Sequence, residues 1–500
     1  MTRSVSIVIP TYNNLKLLQQ CLRSTHALTY PRDSLEIIVV DNGSSDGTPE
    51  SLKNAYPHVK QIRFDTNTGF AFACNRGAAE ASSEFVAFLN DDAVPAPDWI
   101  EGLFSGLDAG GPDAVCAASH IRSRDGTQVE YEGGSANLFG VGRPCPTWGW
   151  LDAPEKAGEG SSVLFASGGA MLIQRRAFLD AGGFDPAFFA YFEDVDLGWR
   201  LWLLGHKVVY APHAVVRHIG GATGSRSGAH RRYTLWECNS LATILKNYES
   251  GNMERVLTSA LMLLYKRALL SAGDTIRQEE YALTAPRDTN TTNVEQPPKV
   301  SVAHLAAINR FNANLPHFMA ERKKIQAARC RSDAEIRSML GRPWEPQFAG
   351  EEYAVASRQI ADTLRLLDLP GAEQRRVLVV AQSRDEAEAV GISSLLAQHA
   401  HVALVLLDEE RASPPVHLAY GFLQHRLRPH DEGLVDLVHM AEVVVALGNA
   451  GDTQLIREVG GPLVLVGSAP ESTPTGALVL SASETERLIA FCTQPATPRT

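Results

Sequence analysis

The sequence predicts an α/β protein with two sheet-bearing units and a helical segment between them, and three observations carry that expectation. Short β-branched runs alternate with helical-looking segments from residue 4 to about 120, and the same rhythm returns from Arg375 to about 480. The stretches 234–271 and 301–341 read as helical, with no strand between them. Continuous apolar strands separated by helices signify a mostly parallel sheet covered on both faces. At 500 residues the chain has room for two or three domains.

In the first unit the strand runs are Val5–Ile9, Glu36–Val40, Val59–Phe64, Phe85–Leu89 and Ala114–Ser119. Val163–Leu164 and Ala170–Ile173 flank the Gly168-Gly169 pair; a helix over Asp194–Leu204 and a strand over Lys207–Tyr210 follow, then a glycine-rich loop at 220–228. The helical stretch 234–271 has a leucine-rich face interleaved with Lys246, Arg255, Lys266 and Arg267. It reads either as a subdomain packed on the core or as an amphipathic helix, over 254–270, lying on a membrane surface. The polar, proline-bearing stretch 284–299 reads as a linker. The second α/β unit has strands at Val377–Val380, Val402–Leu407, Val443–Leu447 and Leu463–Val466, with no glycine after the first to admit a phosphate. The expected domains are therefore a sheet domain over 1–232, a helical extension over 233–345 and a Rossmann-like domain over 371–500.

Composition narrows the function classes. Lys+Arg number 46 against 57 Asp+Glu, a net charge of −11, which disfavours a nucleic-acid binder held by phosphate neutralisation. Seven cysteines without a C-x-x-C pair exclude a zinc knuckle and suit reduced thiols in a cytoplasmic protein. The apolar run of the N-terminal MTRSVSIVIPTYNN is too short for an export signal and is broken by Pro10. The longest apolar stretch, Val256 to Leu270, contains Lys266 and Arg267 and falls short of the ~20 residues that span a bilayer. A cytoplasmic location is expected, with any membrane contact peripheral.

In an open parallel sheet, ligands bind outside the carboxyl ends of the strands. Here those ends carry Pro10, Thr11, Tyr12 and Asn13, then Asp41-Asn42-Gly43-Ser44-Ser45-Asp46-Gly47, then Asn90-Asp91-Asp92. Convergent carboxylates lose hydration and repel each other unless a cation compensates. Mg²⁺ or Mn²⁺ with a diphosphate is the simplest compensation, since both ions combine one or two carboxylates with waters and phosphates. Taken singly, Asp41 and Asp92 also suit ordinary turn or N-cap roles. Asn67, Gly69, Asn75 and Arg76 supply backbone freedom and one cation, although Arg76 also reads as a plain surface charge. Further on, Glu193, Asp194 and Asp196 open a helix on which Glu193 and Asp196 can reach Arg200 as i,i+3 or i,i+4 partners, leaving Asp194 to face the cleft as a general base. His218 can complete a metal shell or merely accept a hydrogen bond. Trp148, Trp150 and Tyr191 offer faces for a sugar or for packing.

These motifs, in order SIVIPTYNN (6–14), VVDNGSSDGT (39–48), NTGFAFACNRG (67–77), FLNDDAVPAPDW (88–99), SGGAMLIQRRAF (167–178), GGFDPAFFAYFEDVDLGWRL (182–201) and RHIGGATGS (217–225), resemble family 2 glycosyltransferases, and within them a bacterial rhamnosyltransferase-like branch. The resemblance covers about half the chain. It implies a GT-A nucleotide-diphospho-sugar transferase fold, followed by the helical extension and the C-terminal Rossmann-like domain. It also implies an inverting, metal-dependent transfer of a sugar, best read as rhamnose, from a nucleotide-diphosphate donor to a glycan or lipid-linked acceptor. Other donors (galactofuranose, glucose or N-acetylglucosamine), or a non-catalytic nucleotide-sugar-binding scaffold, are the alternatives. By the resemblance Asp41 binds the nucleotide, Asp92 ends a D-x-D-like metal motif with His218 as a further ligand, and Asp194 activates the acceptor. The donor side gathers Pro10, Thr11, Tyr12, Asn13, Asp41, Asn67, Gly69, Asn75, Arg76 and Asp91, and the acceptor side Glu193, Trp199 and Arg200. One departure from the family pattern is Asn90, an uncharged amide at the first D-x-D position.

Overall fold

The computed structural model describes residues 2–144, 158–219, 229–272 and 298–337, and within 348–488 the elements named below. The chain divides into two compact units, Met1–Gly341 and Arg342–Thr500.

The first unit begins with β1 (Val5–Thr11), all seven residues of which are buried. In α1 (Leu15–Thr25), Leu18, Cys21, Leu22 and Thr25 are buried, the i, i+3, i+4, i+7 spacing of a helix lying on a sheet. There follow β2 (Leu35–Asp41), α2 (Thr48–Ala55), β3 (Lys60–Arg63), α3 (Phe70–Glu80), β4 (Phe85–Leu89), β5 (Ala93–Pro95), α4 (Trp99–Gly110) and β6 (Ala114–Arg122). The short strands β7 (Val129–Tyr131), β8 (Gly134–Ala136) and β9 (Gly142–Pro144) precede β10 (Ala170–Gln174), α5 (Arg175–Asp180), α6 (Glu193–Leu203) and β11 (Lys207–His218). The main sheet has the order β3-β2-β1-β4-β10-β6-β11-β5, with β7 paired to β6.

The sheet is more mixed than the sequence suggests. Strands β1 to β4 are parallel, but β10 runs antiparallel to both β4 and β6, and β5 is antiparallel to β11. An apolar run buried on both faces carries no mark of its direction, so the reversal of β10 is not written in Ala170–Ile173. Val163–Leu164 lies in none of the named strands; its neighbours Ser162 and Phe165 make only isolated bridges to Val209 and Gly134. The run Lys207–Tyr210 extends through an irregularity between Ala211 and Val215 to His218, which pairs with Ala93 and so arrives beside Asp92.

The helical stretch after residue 228 is two helices, α7 (Ala229–Asn247) and α8 (Ser250–Ala272), followed by α9 (Lys299–Ala328) and the short α10 (Asp333–Arg337). Val256, Ala260, Leu263, Leu264 and Ala268 of α8 are buried, and Arg267 forms an ion pair with Glu237 of α7. Over 254–270 most of the apolar side chains are thus packed against protein, while Met262 and Tyr265 are about half exposed, at 48% and 49%. Among the described residues no helix is long and apolar enough to cross a membrane. The linker reading over 284–299 falls, up to residue 297, outside the described residues, as does the glycine-rich loop 220–228.

Buried charge fastens these helices to α6 and to the turn at Asp185. Lys246 of α7 lies 2.7 Å from Asp185 and 2.9 Å from Asp196, and Asn247 Nδ2 donates to Asp196 at 3.0 Å. Burial alone would raise the Asp185 carboxyl; the charge and hydrogen bond of Lys246, with His317, overcome it and hold Asp185 down at about 2.

The second unit contains α11 (Glu351–Thr363), β12 (Arg376–Gln382), α12 (Glu386–Leu396), β13 (His401–Leu407), β14 (Ser413–Leu418), β15 (Phe422–Leu427), β16 (Val443–Leu447), β17 (Leu463–Val466) and β18 (Leu478–Leu480). Its sheet order is β14-β15-β13-β12-β16-β17-β18, with every pair parallel except β14 with β15. Counted from β12, the parallel strands run 3-2-1-4-5-6, the doubly wound order. The sequence conceals β14 because Pro414 and Pro415 argue against a strand; at the sheet edge their missing N–H groups are tolerated, and the register slips there.

Lys246→Met leaves two buried carboxylates without their cation and is expected to cost about 3–5 kcal/mol, seen as the first unit unfolding at lower denaturant. A shift below about 1 kcal/mol would show that Arg200 and His317 suffice.

Candidate functional site

The carboxyl ends of β1, β2 and β4 share one edge of the sheet, and there the loops are bound to one another by side chains. Asp91 accepts from Thr11 Oγ1 at 2.6 Å and from Asn14 Nδ2 at 2.9 Å. Burial, aided by the charge of Asp92 and opposed by these hydrogen bonds, lifts Asp91 to about 7. Asp92 is buried as well. Its Oδ2 lies 3.3 Å from His218 Nε2, and its Oδ1 has no hydrogen-bond partner. His218 Nδ1 lies 2.9 Å from Glu130 Oε2, and the two carboxylates, Asp92 foremost, raise the imidazole to about 9 against the effect of burial.

The unsatisfied Oδ1 of Asp92 and, once the cation displaces its proton, the facing imidazole nitrogen fit a divalent cation whose remaining ligands are waters and phosphate oxygens. Among the described residues no group of three or more His, Cys, Asp or Glu is gathered to hold a metal alone. Asn90 lies close against the Gly168-Gly169 turn: a Cβ at Gly169 would lie 2.8 Å from Asn90 Nδ2, and Asn90 N–H donates to Gly169 O at 2.8 Å. That side chain is packed against the turn.

On the expected donor side, Asp41 accepts the Ser44 N–H at 2.9 Å with one oxygen and pairs with Arg63 at 3.0 Å with the other. Asn13, with a φ of 49°, donates its backbone N–H to Ser44 Oγ at 2.9 Å and accepts from Ser45 N–H at 2.7 Å. Asn42 Nδ2 donates to Asn67 Oδ1 at 3.1 Å, and Asn67 in turn accepts the Gly69 N–H at 2.9 Å. Gly69 has a φ of +91°, and a Cβ there would meet Phe189 Cδ2 at 2.6 Å, so glycine is required twice over. Pro10 is buried at the end of β1, and Tyr12 is 44% exposed at the rim. Two expected members are engaged elsewhere. Asn75 spends both amide atoms on the backbone of Phe184, at 2.6 and 2.9 Å, and Arg76, half exposed, pairs with Glu80 one helical turn away at 2.8 Å. Arg76 thus stands as a surface charge.

Asp194 stands at the start of α6, where Oδ2 accepts the Gly168 N–H at 3.0 Å and Oδ1 the Val195 N–H at 2.9 Å. Burial raises its pKa, and these hydrogen bonds oppose the rise. Glu193, buried with one oxygen unpartnered among the described residues, is pushed well up by burial and then by the charge of Asp194. It does not reach Arg200, which is held by Asp196 at 2.9 Å and by the Gly183 carbonyl at 2.7 Å. Trp199 is fully buried, edge-on to Tyr248 at 5.1 Å. Neither Trp199 nor Arg200 faces an acceptor: both lie on the inner side of α6, because a helix buried almost all round offers only its first turn to a cleft. Trp148 and Trp150 lie outside the described residues.

Sequence reasoning missed Asn14, Arg63, Glu130 and Asn239. Asn14 lay within a quoted motif. Arg63 meets Asp41 only through the β2–β3 register, and nothing in the local sequence marks Glu130. Asn239 of α7, wholly buried, donates to the carbonyls of Phe188, Ala190 and Tyr191 at 3.1, 3.0 and 2.7 Å.

The family described as glycosyl transferase family 2 matches residues 6–181. An N-acetylglucosaminyl-diphospho-decaprenol L-rhamnosyltransferase of Mycobacterium tuberculosis is 31% identical over 253 residues, covering 46% of this chain and 81% of that protein. A pre-mycofactocin glycosyltransferase of the same species is 30% identical over 220 residues, 43% of each chain. Among solved structures, a mannosyltransferase from Pyrobaculum calidifontis in complex with GDP-Man and Mn²⁺ is a distant likeness: 19% identity, 62% of this chain, 88% of that one, TM-score 0.38.

Gly69→Ala forces a side chain into the left-handed region and against Phe189. It is expected to destabilise the first unit by about 1–3 kcal/mol and to weaken nucleotide binding, measured by denaturation and calorimetry. Wild-type values of both would show that the loop 186–192 yields freely.

Proposed function

The chain belongs to glycosyltransferase family 2 and has the α/β fold of the GT-A class, and from that premise we propose that it moves a sugar from a nucleotide-diphosphate donor to an acceptor hydroxyl by a single inverting displacement. The observation that carries this reading is the pairing, across one two-residue turn, of an incompletely satisfied Asp92–His218 site with the half-buried carboxylate of Asp194. Rhamnose is the preferred sugar and a lipid-linked glycan the preferred acceptor, on the strength of the 31%-identical rhamnosyltransferase.

In this mechanism Thr11 and Asn14 fix Asp91 beneath the donor, and the loops of Asn13, Asp41, Asn67 and Gly69 shape the nucleotide's seat. Asp92 and His218 would hold Mg²⁺ or Mn²⁺, which when bound neutralises charge on the departing diphosphate. Asp194 accepts the acceptor hydroxyl's proton as that oxygen bonds to the anomeric carbon and the bond from that carbon to the phosphate oxygen breaks, releasing the nucleoside diphosphate. The N–H groups of Gly168 and Val195 orient the carboxylate. Burial pushes the Glu193 carboxyl well up, and Asp194, which the two N–H groups support, is the proton acceptor of the pair. For an acceptor carried by lipid, the exposed Met262 and Tyr265 of α8 support peripheral contact through 254–270; flotation with anionic vesicles, lost in a Met262→Ser/Tyr265→Ser double variant, is the corresponding outcome, and failure of wild type to float would refute it.

Asp194→Asn is expected to lower kcat by ~10²–10⁴ with donor affinity unchanged; near-wild-type turnover would require another base. The base works only when ionised and its pKa is raised, so activity falls as pH drops through the raised value. The acid limb of kcat/KM is therefore expected above the ordinary aspartate value of about 4, and a limb at or below it contradicts the assignment. Chelation with EDTA is expected to abolish transfer, with Mg²⁺ or Mn²⁺ restoring it, whereas full activity in EDTA would exclude a metal role.

A further inference from the structure

The arginines of the cleft motifs are mostly committed: Arg63 to Asp41, Arg76 to Glu80 and Arg200 to Asp196. Arg232, on the first turn of α7, differs. Among the described residues it has no ion pair and no hydrogen bond, and its Nε is shielded from solvent without an acceptor. Its guanidinium lies 5.1 Å from the centroid of the Trp236 ring. Around Trp236 stand Tyr191 at 5.9 Å, Phe192 at 6.3 Å and Tyr233 at 5.8 Å, all four rings only partly buried. A cation stacked on an aromatic ring is favourable, but this guanidinium has one shielded N–H without an acceptor and no anion beside it, and an anionic ligand at its more exposed nitrogens compensates the charge.

The cluster's position says which ligand. Tyr191 and Phe192 immediately precede Glu193 and Asp194, so the rings flank the candidate base rather than Asp92. The backbone here is strained: Phe189, Tyr191 and Phe192 have φ values of 66°, 71° and 64°, and the three carbonyl contacts from Asn239 hold it so. Left-handed non-glycine residues persist only where the surroundings over-determine them, and they gather at functional sites. The strain is maintained by a helix lying beyond the family-matched segment 6–181, and it holds the Tyr191 and Phe192 rings against Trp236, next in sequence to Glu193 and Asp194.

We propose that Arg232, with Tyr191, Phe192, Tyr233 and Trp236, is an acceptor subsite in which the guanidinium binds a phosphate carried by the acceptor, so that the acceptor is a glycosyl phosphate or diphosphate rather than a neutral glycan. The proposal rests on Asp194 marking the acceptor side. The phosphate belongs to the acceptor; the donor's diphosphate is the competing source, and the experiment separates them.

The full chain is titrated calorimetrically with N-acetylglucosaminyl diphosphate bearing a short prenyl tail, and with the phosphate-free short-alkyl N-acetylglucosaminide. The nucleoside diphosphate with Mn²⁺ is titrated separately. Wild type is expected to bind the diphosphate probe at least tenfold more tightly than the neutral one. Arg232→Gln erases that preference, Arg232→Lys keeps part of it, and neither moves nucleotide affinity beyond twofold nor shifts the melting temperature. Absence of a preference or of binding in wild type, or a preference that survives in Arg232→Gln, overturns the proposal. A nucleotide affinity that falls as far as probe affinity also overturns it and gives Arg232 to the donor. Should Arg232→Gln fail to fold, the lysine variant decides by the same two ratios. Failure of the base assignment is seen independently, as an active Asp194→Asn enzyme.

Discussion

The cleft of this transferase depends on how the chain turns at Gly168-Gly169. There Asn90 N–H reaches the Gly169 carbonyl at 2.8 Å while Gly168 N–H reaches Asp194 at 3.0 Å. A Cβ at Gly169 would lie 2.8 Å from Asn90, and one at Gly168 would lie 3.1 Å from the ring of Phe70. Two glycines therefore let three separate segments meet: the end of β4 with its acids, the start of β10 and the first turn of α6. β10, which begins at this turn, runs antiparallel between β4 and β6, so its first residue pairs with the last residue of β4.

Around this turn the protein sorts its buried acids into two kinds. Asp185 and Asp196 are met by Lys246, Arg200 and His317, and serve to fasten helices to one another and to the turn at Asp185. Among the described residues Asp91, Glu193 and the half-buried Asp194 have no cation beside them, and lost hydration raises all three carboxyls. Acids of the first kind stabilise an arrangement. Those of the second kind are costly unless a ligand uses them, and raised carboxyls gathered at one edge mark chemistry rather than packing.

Much of this was legible in sequence where a residue's neighbours are local. The strand runs Phe85–Leu89, Val443–Leu447 and Leu463–Val466 coincide with the strands observed, since a short apolar run between turn signals has few other uses. The polar strand ends gave Thr11, Asn13, Asp41, Asp91 and Asp92, which share one edge because a parallel sheet puts them there. Asp194 and Glu193 were legible as the first turn of a helix. What was not legible depends on distant pairing. Asn75 is captured by Phe184 across 109 residues, Trp199 and Arg200 turn inward because α6 is enclosed, and Glu130 meets His218 only when β7 folds onto β6. Helical periodicity gives a face, but not whether that face meets protein or a substrate.

The account stands on the claim that cation and base face one sugar-sized space. A crystal structure of the Asp194→Asn variant with Mn²⁺ and an intact nucleotide-sugar measures this directly. The ion is expected on Asp92 and His218, with the anomeric carbon between the diphosphate and the residue 194 amide. An ion bound elsewhere, or residue 194 turned into a cavity the sugar does not enter, would contradict it.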